Sequence, residues 1–177
     1  MRDPSLWFLL GALLWGLAVC AADTAKAPVN ISLTSPAFEQ GQRIPAVYTC
    51  DGQDRSPALA WSGLPTGTRS LVLLCDDPDA PVGTWVHWVL YDMAPDQSGL
   101  AAGAGAAGGG IQGRNSWKRT GYGGPCPPPG KPHRYFFVLY ALDAELKLAE
   151  GATQDQVEAA MKGHVIGRGE LMGIYGR

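Results

Sequence analysis

Apolar residues along the chain come in short runs separated by Gly and Pro rather than at helical spacing, and no segment repeats at a fixed period. That pattern predicts a β-sandwich or a related all-β layout. The runs at residues 29–34, 44–48, 70–76, 84–91, 134–142 and 164–175 predict strands, the last interrupted by glycines. Several are apolar at consecutive positions, so they should be central and covered on both faces. Strict alternation along 84–91 puts Trp85, Val89 and Tyr91 on one side with His87, and Val86, Trp88 and Leu90 on the other. One helix is well signalled. Thr153 can cap it, Gln156 three residues on completes a capping box, and Val157, Ala160 and Met161 form an apolar stripe that ends near Gly163. Residues 98–110, almost all Gly and Ala, carry too little side chain to resist backbone entropy and predict a mobile surface loop.

The N-terminus changes the compartment in which this pattern is read. Arg2, an apolar run over residues 6–19, small residues at Ala21 and Ala22, and polar Asp23-Thr24 have the anatomy of a secretory signal peptide. The run is shorter than the roughly 20 apolar residues of a spanning helix. The expectation is a leader at residues 1–22 and one domain at 23–177, soluble in the periplasm or secreted. A lipoprotein is the lesser alternative, because bulky Val19 precedes Cys20 where a small residue is expected. With 177 residues, 46% hydrophobic and 17% charged, the chain suits a single core. A net charge of -2 with scattered Lys and Arg argues against nucleic acid as a partner. Loss of the leader leaves Cys50, Cys75 and Cys126 in an oxidising compartment. Cys75 follows a buried-looking run, whereas Cys50 and Cys126 lie in turn-rich segments and are the candidate disulfide pair.

Three constellations carry chemistry. Asp77-Pro78-Asp79-Ala80-Pro81 ends a predicted strand, and its prolines hold the carboxylates in a fixed turn; a turn that merely terminates the strand fits as well. His87, among apolar neighbours, needs a partner if buried, as a core histidine does. Residues 121–132 are rich in Gly and Pro, so backbone N–H groups can approach a ligand from a stiff loop. His133 and Tyr135 then start a strand and project to one face. An oxyanion site and a structural Pro-rich turn both fit this third segment.

Together, Asp77-Pro78-Asp79-Ala80-Pro81, His87, and Gly-Gly-Pro-Cys-Pro-Pro followed by His133-Arg134-Tyr135 resemble the signature regions of the phosphatidylethanolamine-binding protein family. The likeness is strongest to its bacterial Raf kinase inhibitor-like branch. It runs from about Ser35 to Tyr175, with further matches at Tyr48-Thr49-Cys50-Asp51-Gly52, Asn115-Ser116-Trp117-Lys118-Arg119-Thr120 and Gly169-Glu170-Leu171-Met172-Gly173. The resemblance implies two antiparallel sheets in a sandwich with one or two short peripheral helices. It also implies a pocket for phosphate-like anions, including phospholipid head groups. The ligand-binding residues it implies are Asp77, Asp79, His87, Gly123, Gly124, Pro125, His133 and Tyr135, with Tyr175 closing the pocket.

In this reading Asp77 or Asp79 accepts an N–H from a histidine, favours the charged ring and makes it a donor to the anion. Tyr135 O–H and a backbone N–H of Gly123 or Gly124 complete the cradle. No nucleophile with an assigned base stands beside these groups, so a binding protein without cofactors is expected, acting as regulator or inhibitor of a protein partner such as a protease or kinase. The rival is a metal-dependent phosphoester hydrolase using Asp77, Asp79, His87 and His133 as ligands.

Overall fold

The computed structural model describes residues 27–177; the expected leader, its cleavage site and Cys20 lie outside the described residues. The strands are β1 (Val29–Asn30), β2 (Ser32–Thr34), β3 (Leu59–Ser62), β4 (Ser70–Asp77), β5 (Trp85–Met93), β6 (Gly99–Leu100), β7 (Ile111–Gln112), β8 (His133–Leu142) and β9 (Val165–Tyr175). They form a six-stranded sheet in the order β1-β9-β8-β4-β5-β7 and a three-stranded sheet in the order β2-β3-β6. All pairings are antiparallel except β1 with β9, so the larger sheet is mixed rather than purely antiparallel. One α-helix, α1 (Gln154–Met161), has the expected capping box: Thr153 Oγ1 accepts from the Gln156 amide, and the Gln156 side chain accepts from the Thr153 amide.

The larger sheet buries both faces. On one face Leu71, Leu73 and Cys75 of β4, Trp88 and Leu90 of β5, and Phe137 and Leu139 of β8 share a cluster with Leu33, Leu59, Trp61 and Leu100 of the smaller sheet. On the other, Val72, Leu74, Val89 and Tyr91 pack against Val157 and Met161 of α1. Burial of this kind stabilises by roughly 25 cal/mol per Å² of apolar surface, which accounts for the consecutive apolar positions of β4 and β5.

Three expectations from the pattern change. The run at 29–34 is two strands in different sheets, with buried Ile31 at the crossing donating its amide to the Arg168 carbonyl. Residues 44–48 are not a strand. Ile44 bonds to the Ile174 carbonyl, but Pro45 has no donor to continue the ladder and a 3₁₀ turn (Ala46–Tyr48) follows. The Gly/Ala tract, expected as a free surface loop, is tied to the sheets: Gly99 and Leu100 pair with β3, and Gln112 donates to the Gly105 carbonyl at 2.6 Å. Gly110 lies so close to the core that an added Cβ would stand 2.6 Å from Met93 Cγ and 2.8 Å from the Tyr91 carbonyl oxygen. Small residues are required there by contact, not by disorder.

Two tests follow from this packing. Gly110→Ala should cost about 1 to 3 kcal/mol by overpacking, read from urea unfolding; an unchanged midpoint would mean the tract does not pack. The second concerns Asp76, which faces α1 and accepts from Gln154 Nε2 at 2.9 Å. Burial, with Glu158 nearby, pushes its carboxyl up from 3.8 to about 6 despite that bond. The folded state therefore keeps a proton that the unfolded chain has lost. Stability from that proton is present at acid pH and lost as pH rises through about 6. Asp76→Asn should stabilise the protein at neutral pH by about 1 to 3 kcal/mol, with the gain disappearing towards about pH 4.

Candidate functional site

A β-bulge creates the site. Along β5, Trp88 pairs with Cys75 but Val86 pairs with Asp76, leaving His87 as an extra residue without a cross-strand partner. The extra residue shifts the alternation. His87 and Trp88 consequently both serve the face shared with the smaller sheet, while Val86, Val89 and Tyr91 take the helix face. The strict alternation expected for 84–91 fails for this reason. A second irregularity near Asp92, at φ 50°, resets the register before Met93.

At this end of the sheet, Asp77 of β4, Trp85 and His87 of β5, and His133 of β8 line a cavity of about 250 Å³. Pro81 and Val82 of the acidic turn, Trp117, Cys126, Pro127 and Pro128 complete most of the wall. Asp77, His87 and His133 are all buried. His133 Nδ1 lies 2.8 Å from Asp77 Oδ2, and Asp77 Oδ1 accepts the Asp79 amide at 2.8 Å. The carboxylate thus orients the imidazole and its own turn together, leaving His133 Nε2 for a ligand.

His87 is held differently. Its Nδ1 is 2.7 Å from the Gly123 carbonyl, an oxygen that can only accept, so Nδ1 carries the proton. Burial pushes the ring's pKa below its ordinary value, against the opposing pull of the Gly123 bond and of Asp77. The lowered pKa favours the neutral ring, so of the two histidines His87 is the poorer fit to the charged donor expected from sequence. Its ring makes edge contacts with Trp117 at 5.0 Å and Tyr135 at 5.1 Å between centroids. Tyr135 is fully buried and its hydroxyl has no partner. Burial, reinforced by Asp77, keeps that phenol protonated.

Several residues expected in the pocket stand behind it instead. Asp79 turns away to clamp Arg134 with both oxygens, at 2.8 and 2.9 Å, and the guanidinium holds its carboxyl well below the usual range. The Gly123 amide donates to the His87 carbonyl, and the Gly124 amide to Asp54 Oδ1 at 2.7 Å, so neither N–H is free for a ligand. The Pro125 carbonyl accepts from the Cys50 amide. Tyr175 donates to Asp51 Oδ2 at 2.7 Å and is not part of the cavity wall.

These bonds bolt the wall to the loop at residues 48–54. Tyr122 Oη donates to the Tyr48 carbonyl, and a Cys50–Cys126 disulfide links the segments across 76 residues while Cys75 stays free and buried. Asp54 sits in the left-handed region at φ 51°, and a Cβ on Gly124 would stand 2.6 Å from its carboxylate. Asp54 and Trp85 were not singled out as site residues from sequence, and Trp117 entered only within the family match at residues 115–120; Trp85 was readable only as a strand residue, and Asp54 only as a turn residue beside Gly52.

A mostly β protein with two sheets and a small, largely apolar pocket holding one carboxylate and two imidazoles at the end of its central strands is the class this geometry defines. The chain belongs to the phosphatidylethanolamine-binding protein family, whose profile matches residues 34–176. A UPF0098 protein of Methanothermobacter thermautotrophicus is 49% identical over 151 residues, covering 83% of this chain and 99% of the relative. One from Aquifex aeolicus is 42% identical over 184 residues, covering 96% and 99%. Among solved structures, a phosphatidylethanolamine-binding protein homolog of Chlamydia trachomatis superposes with a TM-score of 0.79 at 44% identity, covering 84% of this chain and 98% of its own. Escherichia coli YbcL, described as a new member of the mammalian family, superposes with a TM-score of 0.78 at 32% identity, covering 83% and 98%.

The wall's attachment makes Asp54 testable. Asp54→Asn keeps an acceptor and tolerates positive φ, so stability should stay close to that of the parent. Asp54→Gly keeps the backbone but leaves the Gly124 amide unpaired and should cost about 1 to 3 kcal/mol in urea unfolding. Equal stability of the two variants would deny the carboxylate its role. Replacing Cys50 and Cys126 together by Ser should cost about 2 to 5 kcal/mol, whereas peptide mapping should find Cys75 as a thiol.

Proposed function

We propose that this protein is an exported, non-enzymatic binding protein, built on a two-sheet sandwich, that holds a small phosphate-like anion in the Asp77–His87–His133 cavity. The observation that carries this reading is the Asp77–His133 pair at 2.8 Å. A carboxylate fixing Nδ1 turns Nε2 towards the cavity, where a protonated ring donates a charge-assisted hydrogen bond to an oxyanion. The stiff Pro127–Pro128 wall and the aromatic sides from Trp85 and Trp117 limit the ligand to a small head group. The Cys50–Cys126 disulfide suits an oxidising compartment, in keeping with a signal peptide at residues 1–22. Regulation or inhibition of a protein partner would use the cavity rim, where Val82 stands exposed.

Titration calorimetry with inorganic phosphate and phosphoethanolamine, in the presence of a chelator, tests the reading. Both should bind the parent protein. His133→Ala should weaken binding by roughly ten- to a hundredfold, the loss of one hydrogen bond to a charged group, with the fold intact by circular dichroism. Asp77→Asn should weaken it less, since the amide can present its oxygen to His133. Absence of binding, or affinity that vanishes on chelation, would sink the proposal.

A further inference from the structure

The cavity has an unusual donor and acceptor balance for an anion site. Among the described residues its lining contains one carboxylate and two imidazoles but no lysine or arginine, and the remainder is largely apolar. Arg134, beside His133 in the chain, is held by both oxygens of Asp79. The backbone amides of Gly123 and Gly124 are both bonded within the protein. Nothing in the wall offers an unpaired permanent cation.

His87 decides what can bind against it. The Gly123 carbonyl takes the Nδ1 proton, so the ring's other nitrogen, Nε2, bears a lone pair whenever the ring is neutral. The arrangement is rigid. The peptide carrying that carbonyl is fixed on one side by the Gly123 amide bonding to the His87 carbonyl, and on the other by the Gly124 amide on Asp54. Trp117 and Tyr135 pack against the ring at right angles to it and hold it in that orientation. The charged groups facing it, Asp77 and Asp54, do not outweigh its burial. An oxygen without hydrogen placed against Nε2 would set lone pair against lone pair in a closed site, whereas a P–O–H would complete a hydrogen bond.

We propose that the cavity selects oxyanions able to carry a proton close to neutral pH, namely free phosphate and phosphomonoesters bound as their monoanions, whose second pKa is about 6, through donation of a P–O–H to His87 Nε2 and acceptance of a hydrogen bond from His133. It rests on the oxyanion reading of the cavity and narrows it. Phosphodiesters, the form in which phosphate occurs in a phospholipid head group, and sulfate have no such proton at neutral pH and are disfavoured. Sites that exploit a buried polar group discriminate strongly, because the wrong ligand leaves that group unpaired.

Two measurements on the parent protein test this. Nitrogen chemical shifts of labelled, ligand-free protein should show His87 as the neutral Nδ1–H form at neutral pH. Calorimetry at about pH 6, where both inorganic phosphate and a large share of monomethyl phosphate carry a proton, should show these two binding roughly a hundredfold more tightly than sulfate and dimethyl phosphate. The monoester arm against the diester arm also separates a free phosphate source from a lipid one. Finding His87 as the Nε2–H form or as a cation would overturn the inference. So would sulfate or dimethyl phosphate binding as tightly as phosphate, although that result would leave the oxyanion reading standing. Binding of none of the four would overturn both.

Discussion

The site depends on one extra residue in β5. With strict pairing, His87 and Trp88 would face opposite sides of the sheet. The bulge instead lets His87 reach the cavity while Trp88, two faces of packing later, still fills the core between the sheets. Relief from the ladder leaves the His87 side chain to be positioned by other bonds, and the Gly123 carbonyl and two aromatic rings supply them. A single backbone irregularity thereby joins the buried central strands to the cavity that holds both buried histidines.

Because those bonds come from a loop, the loop must be made rigid. Residues 121–128 lack regular secondary structure, yet their backbone polar groups find partners: Gly123 with His87, Gly124 with Asp54, Pro125 with Cys50, Pro127 with Arg177. The disulfide adds a covalent tie at the cavity wall itself, since Cys126 is one of the lining residues. Prolines on either side of Cys126 reduce the entropy lost on ordering. The pocket is prepared before any ligand arrives, which favours affinity by lowering the ordering cost of binding.

The acidic turn divides its labour in a way that resolves the apparent conflict of carboxylates beside the proposed anion site. Asp79 is neutralised by Arg134 at the edge, and Asp77 is engaged by His133 and by the Asp79 amide. Neither carboxylate faces a ligand as an uncompensated charge. Asp76, one residue earlier, points to the opposite face and belongs to the docking of α1, as alternation along β4 requires.

Much of this was legible in the chain. The long strands β4, β8 and β9, the capping box of α1, the disulfide pair and the two signature regions rest on local patterns: apolar runs, a Thr-x-x-Gln cap, and Asp, His, Gly and Pro at short spacing. The short strands β6 and β7 and the split at Ile31 were not legible, because two residues cannot show a period and their pairing depends on partners far along the chain. The same limit applies at the site. Sequence supplied the candidate groups, since a histidine or an aspartate has its functional groups wherever it lies. Only tertiary structure decided which of them meet: the bulge that turns His87, the clamp that draws Asp79 away, and the distant Asp54 that takes the Gly124 amide are set by register and packing across the sheets, which no local spacing encodes.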